Sequence, residues 1–442
     1  MITTEELKEI LDSIEHRDTI AYGMKMRALL EPASSFLWQD PRTANGVPIL
    51  ARRKISATDM NVRVHVPFDK MIASNKAGYF ASDIQVVFGE SISDNVKTFY
   101  KSLKEKANWK KTMLTLANNC VSQGTSYLLC YMDNSELNFT ISPTENTYVY
   151  YDPLTGKPLY GIRYNNKVAE VYDGMTITRF EKSDKAWVQG TTDFHGLGTI
   201  ERPMVPIIEF RNSPDSIGNP ERTIALADSY DLSLSDLSNE LAAIRLSYLL
   251  LKGLGEKADK VKQDLVDAGV IIIDSDNGDA KFVTKNINPE AVRLLQETTR
   301  ALVFEGASSY DPTAFSEGAS PTAYEVSQRL HALEMDTNIT TGEWDAGFRQ
   351  LDYLIQTYLM VFFSETEYPL WEVDRMYRRT APRNMLQALV EAQNAGILLS
   401  NETKIELSGL QIDLANETAR ISEERDSFPN KIEEPVIPSV DG

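Results

Sequence analysis

Thiols and imidazoles are scarce in this chain: Cys120 and Cys130 are its only cysteines, and His16, His65, His195 and His331 its only histidines. No histidine stands at metal-ligand spacing from a partner, so each reads as an ordinary surface or core side chain. Cys120 sits in an apolar helical context and Cys130 beside Leu128 and Leu129, which predicts buried free thiols and not a disulfide or metal pair. Phosphate-loop spacing is missing too, since Gly253-Leu-Gly255-Glu-Lys257 lacks the eight-residue Gly-to-Lys-Ser interval. There is no Gly-x-Ser-x-Gly elbow and no Cys/His pairing. Asp274-x-Asp276-x-Gly278 starts like a calcium loop, but its glycine falls one position early and no glutamate closes it. No apolar run approaches the ~20 residues that span a bilayer. Met1-Ile-Thr-Thr-Glu-Glu-Leu7 has neither a basic nor an apolar leader region, so the protein is expected to be made and kept in solution. Positive charge is also short: 45 Lys and Arg face 64 Asp and Glu, a net charge of −19. That argues against a protein whose work is gripping nucleic acid by phosphate neutralisation. With so many carboxylates an acid–base pair could be picked anywhere, so none is assigned.

What the chain has is apolar material in regular patterns. Its 442 residues are 42% apolar, enough for real cores, and at ~150 residues per unit they make about three domain-sized pieces. Thr3-x-x-Glu6 predicts a capped first helix with Leu7, Ile10, Leu11 and Ile14 on one face. Asp40-Pro41 to Gly46-Val-Pro48 reads as a linker, Val62 to Val66 as a strand and Phe68 to Phe80 as a helix. Asn95 to Asn119 reads as one longer helix with Phe99, Leu103, Trp109, Met113 and Leu116 inward. From Ser126 the pattern becomes β: Tyr127–Met132, Leu137–Ile141, Tyr148–Tyr151, Leu159–Tyr164, Ala169–Tyr172, Thr176–Phe180 and Trp187–Gln189. Asp152-Pro-Leu-Thr-Gly156 and Tyr172-Asp-Gly174 space them as an antiparallel meander, making this half an α+β domain.

The middle third is the most informative. Leu226 to Lys252 predicts one helix, through Leu234, Leu237, Leu241, Ile244 and Leu249 to Leu251. A short amphipathic helix from Glu256 to Ala268 follows, then β-rich runs Val270–Ile273 and Lys281–Thr284 around Asp276-Asn277-Gly278-Asp279, a hairpin signal. Asn288 and Pro289 start a second helix, through Val292, Leu295, Leu302 and Val303 to Gly306. Residues 306–320 are a polar loop longer than compact domains usually hold without a functional reason. Thr322-x-x-Glu325 then caps a very long helix through Leu330, Leu333, Ile339, Trp344, Phe348, Leu351, Ile355 and Leu359 to about Phe363, with Gly342 a candidate kink. From Ala381 the chain reads as helical again, with Met385, Leu386, Leu389 and Val390 on one face, and Pro429, Pro435 and Pro438 mark a tail expected to be disordered.

Five stretches in this order resemble the portal proteins of tailed bacteriophages, of the Gp6-like family of long-tailed phages. They are Gly124-Thr-Ser-Tyr127, Met204-Val-Pro-Ile-Ile-Glu-Phe-Arg-Asn212, and Leu226-Ala-Asp-Ser-Tyr-Asp231 continuing to Ser235-Asp-Leu-Ser-Asn-Glu240. Phe315-Ser-Glu-Gly-Ala-Ser-Pro-Thr-Ala323 and Gly396-Ile-Leu-Leu-Ser400 with Glu402-Thr403 complete them. One departure is visible: the family loop usually carries Ser-Gly before a small residue, whereas here the order is Gly318-Ala319-Ser320-Pro321.

The resemblance implies an α+β, multi-domain portal fold. Its parts would be an α/β wing over 1–230, stem helices at 231–252 and 288–306, a small α/β clip at 253–287, and a tunnel loop at 307–321. A long helix and wing return would cover 322–380, a short helical crown 381–427, and the tail 428–442. It implies a ring, usually of twelve copies, at one capsid vertex, assembled in the host cytoplasm and carried in the virion. Double-stranded DNA would pass through it during packaging, be retained and later leave. The terminase large subunit, a head–tail connector, and the major capsid and scaffolding proteins would be its partners, with no membrane, catalysis or cofactor. Lys257, Lys260, Lys262, Asp276, Asn277, Gly278 and Lys281 would form the clip interface, completed by strands of the adjacent copy because a lone hairpin buries little. In the tunnel loop Tyr310, Asp311, Phe315, Ser316, Glu317, Gly318, Ala319 and Ser320 would face DNA. Phe315 and Tyr310 are its bulky members, Glu317 and Asp311 its acidic ones, and Gly306, Gly318, Ala319 and the flanking serines its source of flexibility. The opposite reading, that the two rings pin the loop to the stem, stays open. The net acidity would either keep the channel wall from sticking to DNA or simply solubilise the outer surface. A structural ring without a conducting channel and a DNA-processing enzyme are the rival classes.

Overall fold

The computed structural model describes residues 2–28, 64–165, 167–183, 186–244, 248–252, 279–283, 289–311, 313 and 323–379. The chain divides into two compact units, Met1–Ser320 with Gln328–Thr380, and Pro321–Ser327 with Ala381–Gly442. Nearly all of the second lies outside the described residues, including the helix expected from Ala381.

Helix α1 (Thr4–Ala28) opens on the predicted capping box: Glu6 N–H donates to the Thr3 hydroxyl at 3.2 Å and Thr3 N–H donates to the Glu6 carboxylate at 2.8 Å. Residues 64–67 are not a strand, contrary to the alternating pattern over Val62–Val66. The Val64 and Val66 N–H groups donate instead to the side chains of Ser235 and Asp231, leaving no ladder to join. Helix α2 (Phe68–Ala81) leads into β1 (Ile84–Phe88). The single helix expected over Asn95–Asn119 is two, α3 (Asp94–Lys106) and α4 (Trp109–Gln123), because Asn108 takes a left-handed conformation at φ 46°. Asparagine tolerates that region better than other side chains, and continuous apolar periodicity conceals it.

The β pattern after Ser126 resolves into two sheets. β2 (Thr125–Asp133) pairs antiparallel with both β3 (Glu136–Ser142) and β9 (Ile207–Arg211). β4 (Thr147–Tyr151), β5 (Pro158–Tyr164), β6 (Val168–Tyr172), β7 (Thr176–Ser183) and β8 (Ala186–Phe194) form a sequential antiparallel meander. Leu7 of α1 packs with Ile162, Ala169 and Phe180 of this meander.

Helix α5 (Ile224–Ile244) stops short of the expected Lys252, and β10 (Tyr248–Lys252) is a strand paired antiparallel with β11 (Asp279–Val283). Leu249-Leu250-Leu251 suits either period, so only the partner strand decides it. Val270–Ile273 and the Asn277-Gly278 turn lie outside the described residues. Helix α6 (Pro289–Gly306) matches its predicted span, and α7 (Ala323–Phe363) runs as one helix through Gly342. β12 (Val373–Tyr377) pairs antiparallel with β1.

The largest core gathers around α7, whose Trp344, Phe348, Leu351, Ile355 and Leu359 all turn inward as their spacing predicts. Trp344 meets Phe210 at 4.9 Å and Phe80 at 5.1 Å, joining β9 and α2 to the long helix. A Cβ on Gly347 would come within 2.8 Å of the Phe210 ring, so the glycine permits this close approach. Ile339 breaks the expectation and stays 51% exposed. At the far end, Arg375 of β12 pairs with Asp352 at 2.6 Å, and Tyr100 of α3 donates to the same carboxylate at 2.9 Å.

Candidate functional site

Four segments converge where α6 gives way to the polar loop. The first is the helix end itself: Ser308 adopts φ 52°, and Ser309 N–H donates to Phe304 O at 2.8 Å, a left-handed cap closed by a serine where glycine is usual. Gly306 is not a hinge of the loop, as its residue type suggested. It lies in the last turn of α6, where a Cβ would meet Thr223 Cγ2 at 2.8 Å, so its bareness serves packing.

Beyond the cap the loop is held from two sides. Arg300 of α6 grips the Asp311 carboxylate through two nitrogens at 2.5 and 2.7 Å while its guanidinium lies over Phe304 and Phe68. Asp311 is only 17% exposed; burial works to raise its carboxyl, but Arg300 and the Thr313 N–H at 2.9 Å overcome that and hold it below the usual range. Its hydrogen bond to Asp311 in turn raises Arg300. The charge that the sequence offered to a channel is thus already paired within the chain. Asn75 of α2 donates to Tyr310 O at 3.3 Å, which fixes the backbone of the second loop residue that the sequence singled out.

Beneath this lies a buried polar knot. Lys76 of α2 is fully buried, its ammonium 2.5 Å from Asp336 of α7, 2.9 Å from Asn212 Oδ1 and 3.1 Å from Asn219 Oδ1. Arg222 reaches the other Asp336 oxygen at 2.8 Å, and Asn219 donates both to Asp336 at 2.7 Å and to Ala307 O at 2.8 Å. Burial lowers the Lys76 ammonium, with Asp336 opposing it. Burial pushes Asp336 up, but Lys76, Asn219 and Arg222 together hold it below the ordinary carboxylate range. A buried charge cluster with every member bonded is rigid, so the loop begins from a fixed base.

Three of the stretches singled out in sequence meet here. Gly124, at φ 86°, lets the end of α4 turn under Ser216, whose carbonyl a Cβ would strike at 2.0 Å, and Gly124 O accepts from Asn212 N–H at 2.9 Å. Asn212 closes the Met204–Asn212 run and enters the knot itself. Asp231, from the Leu226–Asp231 stretch, holds Val66 N–H at 2.9 Å and His65 at 2.6 Å. Lys76, Asn75, Asn219, Arg222, Arg300 and Asp336 were not foreseen as a group. One signal was present: Ile72, Lys76 and Phe80 recur every four residues, which puts a lysine on the buried stripe of α2.

Of the other sequence candidates, Phe315, Ser316, Glu317, Gly318, Ala319 and Ser320 lie outside the described residues. So do Lys257, Lys260, Lys262, Asp276, Asn277 and Gly278. Lys281 lies in β11, opposite Leu250. Cys120 and Cys130 are free and buried, and burial pushes the Cys120 thiol up to about 12. Among the described residues no helix is long and apolar enough to cross a membrane.

Residues 43–427 match the model of one protein family, described as phage portal protein, SPP1 Gp6-like. The chain belongs to that family: it is a phage portal protein, of the SPP1 Gp6-like kind. No curated protein matches it. Among solved structures it is similar to a chain in the neck of an empty gene transfer agent particle computed with C6 symmetry, at 13% identity and TM-score 0.42, over 78% of this chain and 90% of that one. It is similar also to a chain in the neck of the native particle computed with C12 symmetry, at 14% identity and TM-score 0.41, over 77% and 88%. The assignment rests on the family match alone.

Proposed function

We propose that copies of this chain close into a ring, of twelve subunits in the particle, that conducts double-stranded DNA at one capsid vertex. The observation that carries this reading is the anchored base of the long loop between α6 and α7. Asn75, Asn219 and Arg300 hold residues 307–311 against α2, α6 and the Lys76 knot. Such an anchor confines any contact with a moving duplex to the residues that follow, 314–320, with Phe315 and Glu317 in the leading position. In this reading residues 1–230 form the wing, 231–252 and 288–306 the stem, 253–287 the clip, and 381–427 the crown. The clip would meet the packaging motor, the terminase large subunit, and later the head–tail connector, with its strands completed by the adjacent copy. The capsid and scaffolding proteins would surround the wing. The chain conducts DNA and has no catalysis of its own.

Electron microscopy of the purified protein tests this: closed rings with an axial hole are expected. Closed discs without a hole would favour a purely structural ring, and ATP hydrolysis or Mg²⁺-dependent DNA cleavage by the purified chain would replace the reading with an enzyme.

A further inference from the structure

Two helices carry regular apolar stripes that no described residue covers. On α7, Ala332, Met335, Ile339, Gly342 and Ala346 succeed one another at alternating steps of three and four, and all are exposed, Met335 at 56% and Ile339 at 51%. On α6, Leu295, Thr298 and Leu302 follow the same steps and are exposed as well, Leu295 at 57% and Leu302 at 44%, with Leu294 beside them at 65%. Alternating three and four is the spacing by which side chains of one helix enter the gaps of another. A helix facing only water has no need of it.

Each stripe is separate from the face that already holds its helix. Val303 and Phe304 seat α6 against Phe68, Ile72 and Ala227, while Trp344 and Phe348 seat α7 in the large core. The sizes also fit: α6 presents two leucines flanking a small threonine, and α7 presents two bulky side chains followed by Gly342 and Ala346, where a neighbour's leucine has room. A Cβ on Gly342 would meet nothing within 4 Å.

We infer that the α6 stripe of one copy packs against the α7 stripe of the next, making a helix–helix seam between adjacent subunits. The inference rests on the ring proposed above. A closed ring is built from head-to-tail contacts, in which two different faces of one chain must fit each other, and this chain supplies two such faces of matching period.

Cysteine pairing tests it, since the two native thiols are buried and silent. Leu295→Cys is combined in one chain with Met335→Cys, Ile339→Cys or Gly342→Cys, and assembled rings are treated with a mild oxidant. At least one pair is expected to give a ladder of cross-linked multimers on a non-reducing gel, with none from the single-cysteine chains. Rings that form with every pair yet give no ladder overturn the seam. As a second measurement, Ile339→Glu is expected to lower ring assembly at least tenfold with the midpoint of thermal unfolding unchanged, because the position is exposed in the lone chain; unimpaired assembly overturns the seam. Failure of the unmodified chain to form rings at all would sink the ring and the seam together, whereas intact rings without cross-links sink the seam alone.

Discussion

Lys76 shows how much one buried charge can organise. Its ammonium is shared by Asp336, Asn212 and Asn219, so α2, α7 and the turn before α5 are all referred to one atom. Without the ammonium, Asp336 would keep Arg222 and Asn219, but Asn212 and Asn219 would each lose a buried hydrogen-bond donor, which costs about 1–3 kcal/mol. Lys76→Ala is therefore expected to lower the thermal unfolding midpoint by a few degrees, read by differential scanning calorimetry. Asp18 behaves in the opposite sense. Burial lifts its carboxyl most, Arg17 beside it opposes that and Glu145 adds to the rise, so that it reaches about 7. A carboxyl raised on folding holds its proton better in the folded chain. Its contribution favours folding below its ordinary value near 3.8 and is lost as pH climbs through about 7. Asp18→Asn should accordingly stabilise the protein by about 1–2 kcal/mol at pH 8 and by less at pH 5, measured by chemical denaturation at the two pH values.

Among the elements, helix starts were easier to read than helix breaks. The capping box at Thr3, Pro289 at the start of α6 and the Ala323 start of α7 fall where side-chain chemistry put them, because caps are local hydrogen bonds. The break at Asn108 was hidden, since the apolar residues of α3 and α4 stay in phase across it. Asn108→Val is expected to cost about 1–2 kcal/mol through the left-handed strain of a branched side chain, while Asn108→Gly should be tolerated; equilibrium unfolding of the two variants checks this. The β10 strand was lost for a different reason. Three leucines in a row carry no period, and their pairing with Asp279–Val283 is more than twenty residues distant in sequence.

For the whole molecule, the anchored loop base narrows what a deletion can reveal. Residues 307–311 and Thr313 are tied into the knot and the Arg300 pair, so cutting them would confuse folding with function. Removing only 314–320 is expected to leave ring assembly intact while genome packaging stalls, read by counting rings in micrographs and DNA-filled heads in parallel. Loss of assembly would instead make those residues structural. The net charge of −19 belongs to this scale as well. An acidic chain can bound a conduit without binding what moves through it, because screening confines its influence to groups within ~8 Å of the duplex.

The sequence by itself determined the kinds of elements and their order: the meander, the two helices before the loop, the long helix after it, and the stretches that place the chain among portal proteins. These follow from local hydrogen bonding and periodicity, which act between near neighbours in the chain. Only the tertiary structure decided that Asp311 is paired, that Gly306 serves packing, that Lys76 is buried among Asn212, Asn219 and Asp336, and that Ile339, Leu295 and Leu302 face outward. Each of those depends on which distant segment lies opposite, and a side chain's charge and exposure are properties of its neighbours in space.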